Sequence, residues 1–338
     1  MKNVLIASTA LIATASVAAA DVKFSGYGRF GIGYLEDRSG DVDNFTTNAA
    51  GEVVRDGSAD VDTDNTILIS RFRLNIDGTA ETDGGVEFQA RVRLQADEND
   101  DNGEQNEAGL NGARFSVIYG GLRVDAGNVA GSFDNLDDYF GTEPGLEEFL
   151  GQYSGVDYDF LEYSSTGSGA NAVFFRYTVA DFNFSASYDQ RTVALNGNAK
   201  DADRWDVSTS YTFNNITASL AYGRTDLADG GDESLALFTL GAELGDFYGT
   251  LLVAKDDVSD ADKDGTAYGF SVAYNLGAAT TLQLVYGDGS EDGDTRNVGV
   301  GAIYDLGGGA TLRGGVGQVK EGQADSRIQA DFGAQFNF

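Results

Sequence analysis

Polar and apolar residues alternate one for one through most of this chain, in short blocks separated by acidic or glycine-rich stretches. In the last block Ile328, Ala330, Phe332, Ala334, Phe336 and Phe338 make one row, and Arg327, Gln329, Asp331, Gly333, Gln335 and Asn337 make the other. A strand sends successive side chains to opposite faces, so each block predicts a ribbon with one greasy and one wet side. The first block, Val22 to Leu35, sets Val22, Phe24, Phe30, Ile32 and Tyr34 against Lys23, Ser25, Tyr27 and Arg29. The second sets Leu68, Phe72, Leu74 and Ile76 against Arg71, Arg73, Asn75 and Asp77. The third sets Val86, Phe88, Ala90, Val92 and Leu94 against Glu87, Gln89, Arg91, Arg93 and Gln95. About sixteen such blocks follow one another, each close to the roughly 10 residues with which a tilted strand crosses a bilayer.

The connections alternate as well. Glu81 to Gly85, Gly120-Gly121, Val179 to Asp181, Phe213 to Asn215, Gly245-Asp246, Leu276 to Ala278 and Leu306 to Gly309 read as tight turns from their residue types. Between them lie acidic or polar stretches: Glu36 to about Asn65, Asp97 to Asn111, Arg191 to Asp203, Thr225 to Glu233, Asp256 to Asp264, Gly287 to Asp294 and Lys320 to Ser326. The longest runs from about Val129 to Gly169. A soluble sandwich also alternates, but nothing makes its loops short on one side and long on the other, as in outer-membrane barrels. Aromatic residues also fall at block ends, among them Tyr34, Tyr119, Trp205, Tyr211, Phe213, Tyr222, Tyr268, Tyr274, Tyr286 and Tyr304, as interfacial girdles require. The pattern predicts an all-β fold, an antiparallel 16-stranded transmembrane barrel over residues 21–338. In hydrocarbon every backbone group needs a partner, so the sheet must close, first strand against last. Sixteen strands leave a lumen too wide for side chains to fill, hence an aqueous passage.

Composition adds limits. Lys2, the apolar run Val4 to Val17 and Ala18-Ala19-Ala20 have the form of an export signal over residues 1–20, cut after Ala20, which places the chain beyond the inner membrane. There is no Cys, so no disulfide framework, and no His, which removes Ser-His and Cys-His nucleophile chemistry and the commonest metal ligand. An enzyme is not expected. A formal net charge of −32 argues against nucleic acid. A single Pro suits uninterrupted ladders.

Two groups of residues could carry function. Arg29, Arg71, Arg73, Arg91 and Arg93 face inward on the first three strands, with Arg114 and Arg123 nearby, and predict a basic patch near mid-depth. The long stretch offers Asp134, Asp137, Asp138, Glu143, Glu147 and Glu148, interleaved with Phe133, Tyr139, Phe140, Leu146, Phe149 and Tyr153. A solvated loop has no use for so many large apolar groups. This third long outer loop is therefore expected to fold into the lumen, with its carboxylates opposite the guanidinium groups. Asp260, Asp262 and Asp264 have the spacing of a calcium loop, though Ser271 stands where that loop needs Glu; Asp97 to Gly103 has its Gly one place late. Gly26-Tyr-Gly-Arg-Phe-Gly31 matches a dinucleotide fingerprint, but it lies inside an alternating strand with no helix after it and has no phosphate-binding mechanism.

Phe24 to Gly31, Ser70-Arg-Phe-Arg-Leu74, the Glu81 to Gly85 turn, Gly127-Asn-Val129 and the closing Phe336-Asn-Phe338 resemble the general diffusion porins of alphaproteobacteria, across the whole mature chain. The terminal Phe resembles the assembly signal of bacterial outer-membrane barrels. The resemblance implies a homotrimer of sixteen-stranded barrels, the third loop inside, arginines on the opposite wall and structural calcium among loop carboxylates. It implies no catalytic residues and no required cofactor. The function expected is a passive water-filled channel in the outer membrane for ions and small hydrophilic solutes, weakly cation-selective, bordered by lipid and lipopolysaccharide. The alternative is a substrate-selective channel with a saturable site for a sugar or small anion.

Overall fold

The computed structural model describes residues 21–98 and 104–338. The expected leader and most of the acidic run Asp97 to Gly103 lie outside the described residues. Sixteen staves go up and down once around a barrel. They are β1 (Asp21–Leu35), β2 (Thr66–Glu81), β3 (Glu87–Asp97), β4 (Arg114–Tyr119), β5 (Leu122–Gly127), β6 (Ala172–Val179), β7 (Phe182–Asp189) and β8 (Arg204–Phe213). There follow β9 (Ile216–Asp226), β10 (Asp232–Leu244), β11 (Phe247–Asp257), β12 (Thr266–Leu276), β13 (Thr280–Gly289), β14 (Thr295–Gly307), β15 (Ala310–Glu321) and β16 (Arg327–Asn337). A two-residue piece, Gly109–Leu110, pairs with β3 on the same edge as β4 and belongs to that stave. Each strand pairs antiparallel with its neighbour in sequence. β1 closes the ring, with Arg29 opposite Arg71 of β2 on one side and Gln335 of β16 on the other. Closure leaves no row of unpaired N–H and C=O groups to face hydrocarbon.

Period-two alternation sorts the side chains as the sequence predicts. Phe24, Phe30, Leu68, Phe115, Leu220 and Phe332 stand exposed on the outer wall. Ser185, Asp206, Ser219, Thr239, Thr250, Ser271 and Asn297 are buried on the inner one. This arrangement inverts a soluble protein. Over β9 to β12, however, the inner row turns apolar, with Ala221, Leu235, Leu237, Leu252, Ala254 and Ala267 all buried. These form the seat for a loop.

The short connections cluster at one end. They turn through left-handed backbone at Gly120, Asn214 and Gly245, and at Ala180 with φ 50°. At the other end the loops are more ordered than the sequence suggests. Residues 36–65 contain a paired hairpin, Ser39–Thr47 with Val53–Asp62, and 190–203 contain another, Thr192–Leu195 with Asn198–Asp201. Strands also run on through much of the expected Thr225 to Glu233 loop, leaving 227–231 between β9 and β10. Above the membrane both faces meet water, so alternation fades while the backbone ladder continues. Aromatic rings mark the two interfaces. Phe182 stacks on Tyr211 and Phe247 on Tyr274 near the short turns, while Trp205 meets Tyr222 and Phe270 meets Tyr286 toward the loops. From Tyr211 to Trp205 is about 20 Å of strand, close to the height of a barrel's apolar band.

Candidate functional site

Residues 128–171, between β5 and β6, cross the lumen and lie along the inner wall instead of projecting outward. Phe133, Leu136, Tyr139, Tyr158 and Phe160 pack on Leu235, Leu237, Leu252, Ala254 and Ala267. Each buried large side chain of this kind contributes about 1.5–3 kcal/mol. Polar wall groups pin the loop along its course. Asp206 accepts the Ser132 N–H (2.7 Å), Thr250 donates to Gln152 (2.6 Å), Gln283 donates to the Glu143 carbonyl (3.0 Å) and Asn297 to the Leu150 carbonyl (2.7 Å). At the tip, one carboxylate oxygen of Asp331 on β16 accepts three consecutive backbone N–H groups, Leu146 (2.8 Å), Glu147 (2.7 Å) and Glu148 (2.9 Å).

Glycines let the tip lie close. A Cβ at Gly299, Gly315 or Gly317 would fall 2.6–2.9 Å from the Phe149 ring; at Gly31 or Gly333 it would meet Leu146, and at Gly301, Pro144. Their inward positions on β14, β15, β16 and β1 make a bare strip on which residues 144–149 rest. The alternate-residue spacing of Gly31 and Gly33, Gly299 and Gly301, and Gly315 and Gly317 was the available sequence signal for it.

The tip faces the basic wall. Glu147 forms ion pairs with Arg29 and with Arg71 (2.6 Å), and Arg71 also pairs with Asp97 (3.1 Å). Arg29 donates to the Leu146 carbonyl (3.2 Å). A cavity of about 330 Å³ opens here, lined by Arg29, Arg71 and Arg313 on the wall side and Glu143, Glu147 and Tyr153 on the loop side. Burial pushes Glu147 up to about 7, against the pull of Arg29 and Arg71 and with help from Glu98. Burial likewise raises Glu143, opposed by the Tyr153 hydroxyl (3.0 Å) and by Arg29.

The expected residues divide as follows. Arg29 and Arg71 border the opening. Arg73 and Arg93 sit below it, toward the short turns, both donating to Ser165 (3.3 and 2.6 Å), with Arg73 over the Tyr27 ring and Arg93 over Tyr163. Arg91 lies further down, held in two hydrogen bonds by Asp77 (2.5 and 3.1 Å). Of the loop acids only Glu143 and Glu147 reach the cavity. Glu148 turns the other way, to buried Arg38 (2.9 Å). Asp134 accepts the Tyr163 N–H (3.3 Å), Asp138 accepts from Tyr248, and Asp137 is exposed. Desolvation raises both Asp134 and Asp138. Arg313 and Asp331 were not singled out by the sequence, where each is one polar residue in an inward row.

Asp260, Asp262 and Asp264, which have the calcium spacing, lie in the loop between β11 and β12. Asp264 pairs with Lys255 (2.9 Å), Asp260 accepts the Asp262 N–H (3.1 Å), and among the described residues no three carboxylates converge to hold a metal ion.

A closed, lipid-facing barrel with a charged opening inside is a pore-forming membrane protein. The chain matches the Gram-negative porin family over residues 7–324 and belongs to it. It is 29% identical to a porin of Fuscovulum blasticum over 94% of this chain and all of that one. It is 26% identical to a porin of Rhodobacter capsulatus with the same coverage. Two engineered variants of the Rh. blastica porin superpose with TM-scores of 0.72, at 25% and 26% identity, over 94% of this chain and all of theirs. The protein is thus an outer-membrane general diffusion channel, and not an enzyme.

Proposed function

We propose that this porin passes small hydrated solutes with a mild preference for cations, set by two opposed terms. Acidic outer loops and a net charge of −32 concentrate cations at the mouth. At the opening itself three guanidinium groups face two carboxylates, which aligns solute dipoles and bars bulky ones. The observation that carries this reading is Glu147 standing between Arg29 and Arg71 at the tip of the infolded loop. Reversal potentials in planar bilayers under a salt gradient test it; anion-signed potentials at low salt would overturn it. A homotrimer, expected from the family resemblance, predicts insertions that close in three equal sublevels. Lipopolysaccharide would surround the upper girdle. The leader would be cut after Ala20, as the Ala18-Ala19-Ala20 pattern suggests, and the intact mass of purified protein tests that.

A further inference from the structure

Behind the opening, a further guanidinium meets the infolded loop. Arg38 follows β1, in a stretch (residues 36–65) that has nine carboxylates of its own. The other cation of that stretch, Arg55, pairs locally with Asp43 (2.6 Å) and is exposed. Arg38 is instead buried and reaches Glu148, 110 residues away, at 2.9 Å. Its backbone is fixed at the base of the hairpin. The N–H donates to the Asn65 side chain (3.3 Å), and the carbonyl accepts the Thr63 N–H (2.9 Å). The guanidinium is thus anchored from the wall and not from the loop it holds.

Glu148 lies in a socket that β1 leaves for it. Gly33 is an inward position, paired with Ile67 on one side and Asp331 on the other. A Cβ at Gly33 would collide with the Glu148 carboxylate and fall 3.2 Å from the Ile67 side chain. Ile67 and Ile69 are both buried, so one wall of the socket is apolar. A carboxylate taken out of water in this way keeps its charge by having a cation against it, and losing that cation leaves a buried charge uncompensated. A wet alternative is close by. The preceding residue, Glu147, already stands between Arg29 and Arg71 at the opening.

We infer that Arg38 is a positioning residue for ion selectivity. With Gly33 it keeps Glu148 out of the passage, so that the opening carries the charges of Glu143 and Glu147 and not a third carboxylate. Arg38 itself is buried and touches no permeating ion. The inference rests on the reading of Glu147 as the acid that sets ion preference at the opening.

The test uses full-length protein in planar bilayers under a salt gradient, with the heat-dependent gel shift confirming that each variant has folded. Arg38→Gln and Gly33→Ala should both move the reversal potential toward cations, by an amount comparable with the opposite shift in Glu147→Gln. Gly33→Ala is the sharper variant, because it alters no charge: the added methyl takes the place of the carboxylate and turns Glu148 toward the lumen. Adding Glu148→Gln to either variant should cancel the shift. A shift in Arg38→Gln alone, with none in Gly33→Ala, would overturn the proposal by showing that Arg38 acts only through its own charge. So would a shift in either variant that survives Glu148→Gln. An unchanged potential in Glu147→Gln would overturn the selectivity reading, and this inference with it.

Discussion

At the scale of single residues, two adjacent glutamates have opposite lives. Glu147 reaches Arg29 and Arg71 across the opening, while Glu148 is drawn back to Arg38 behind the loop. Glu147→Gln should therefore move the reversal potential toward anions, whereas Glu148→Gln should leave it nearly unchanged; bilayer measurements on both variants check this. Acidity should act through the same group. Burial raises Glu147 to about 7, so its negative charge is lost as pH falls through that value, and cation preference should rise between about pH 5 and 8. In Glu147→Gln that rise should shrink. Because the folded value lies above the ordinary 4.5, the folded state holds this proton more tightly than the unfolded chain does. The stabilisation is complete below 4.5 and gone above about 7. The sequence placed both acids in one loop but could not separate them, since an irregular segment has no period from which to read direction.

At the scale of elements, the strands were legible and the loop's seat was not. Alternation of Arg71, Arg73, Asn75 and Asp77 with Phe72, Leu74 and Ile76 is enough by itself to assign the two faces of β2. Arg313 escaped because it lies far along the chain and joins Arg29 only through closure, by way of Gly333 and Gly31. Asp331 escaped because its role depends on the backbone of residues 146–148, which its own strand cannot reveal. Asp331→Ala should free the tip: hydrogen exchange at 146–148 should accelerate and open-channel current should grow noisier, with barrel melting little changed. A quiet trace would show that the apolar contacts of the loop suffice. The closing strand makes a second case. Phe338 exchanges two backbone hydrogen bonds with Gly26 (2.9 and 3.0 Å) and stacks on Phe72 at 5.7 Å. Deleting Phe338 should cost about 2 kcal/mol from those bonds alone, and should slow folding into detergent or lipid, as followed by the heat-dependent gel shift.

At the scale of the molecule, an excess of negative charge in the outer loops acts over a distance that salt controls. Cation preference should be strongest near 0.01 M salt, where screening extends about 30 Å, and should fade toward 1 M, where it extends about 3 Å. Preference that persists at 1 M would assign selectivity to the opening rather than the mouth. The bare strip of Gly299, Gly301, Gly315, Gly317, Gly333 and Gly31 has a different kind of consequence. The loop's thickness is fixed by its own side chains, so the calibre of the hole depends on how far back it can lean. Any methyl group added behind it acts as a shim, pushing Pro144, Leu146 and Phe149 toward the centre. A lineage of such channels could therefore tighten its molecular sieve without altering one residue that a permeating solute touches.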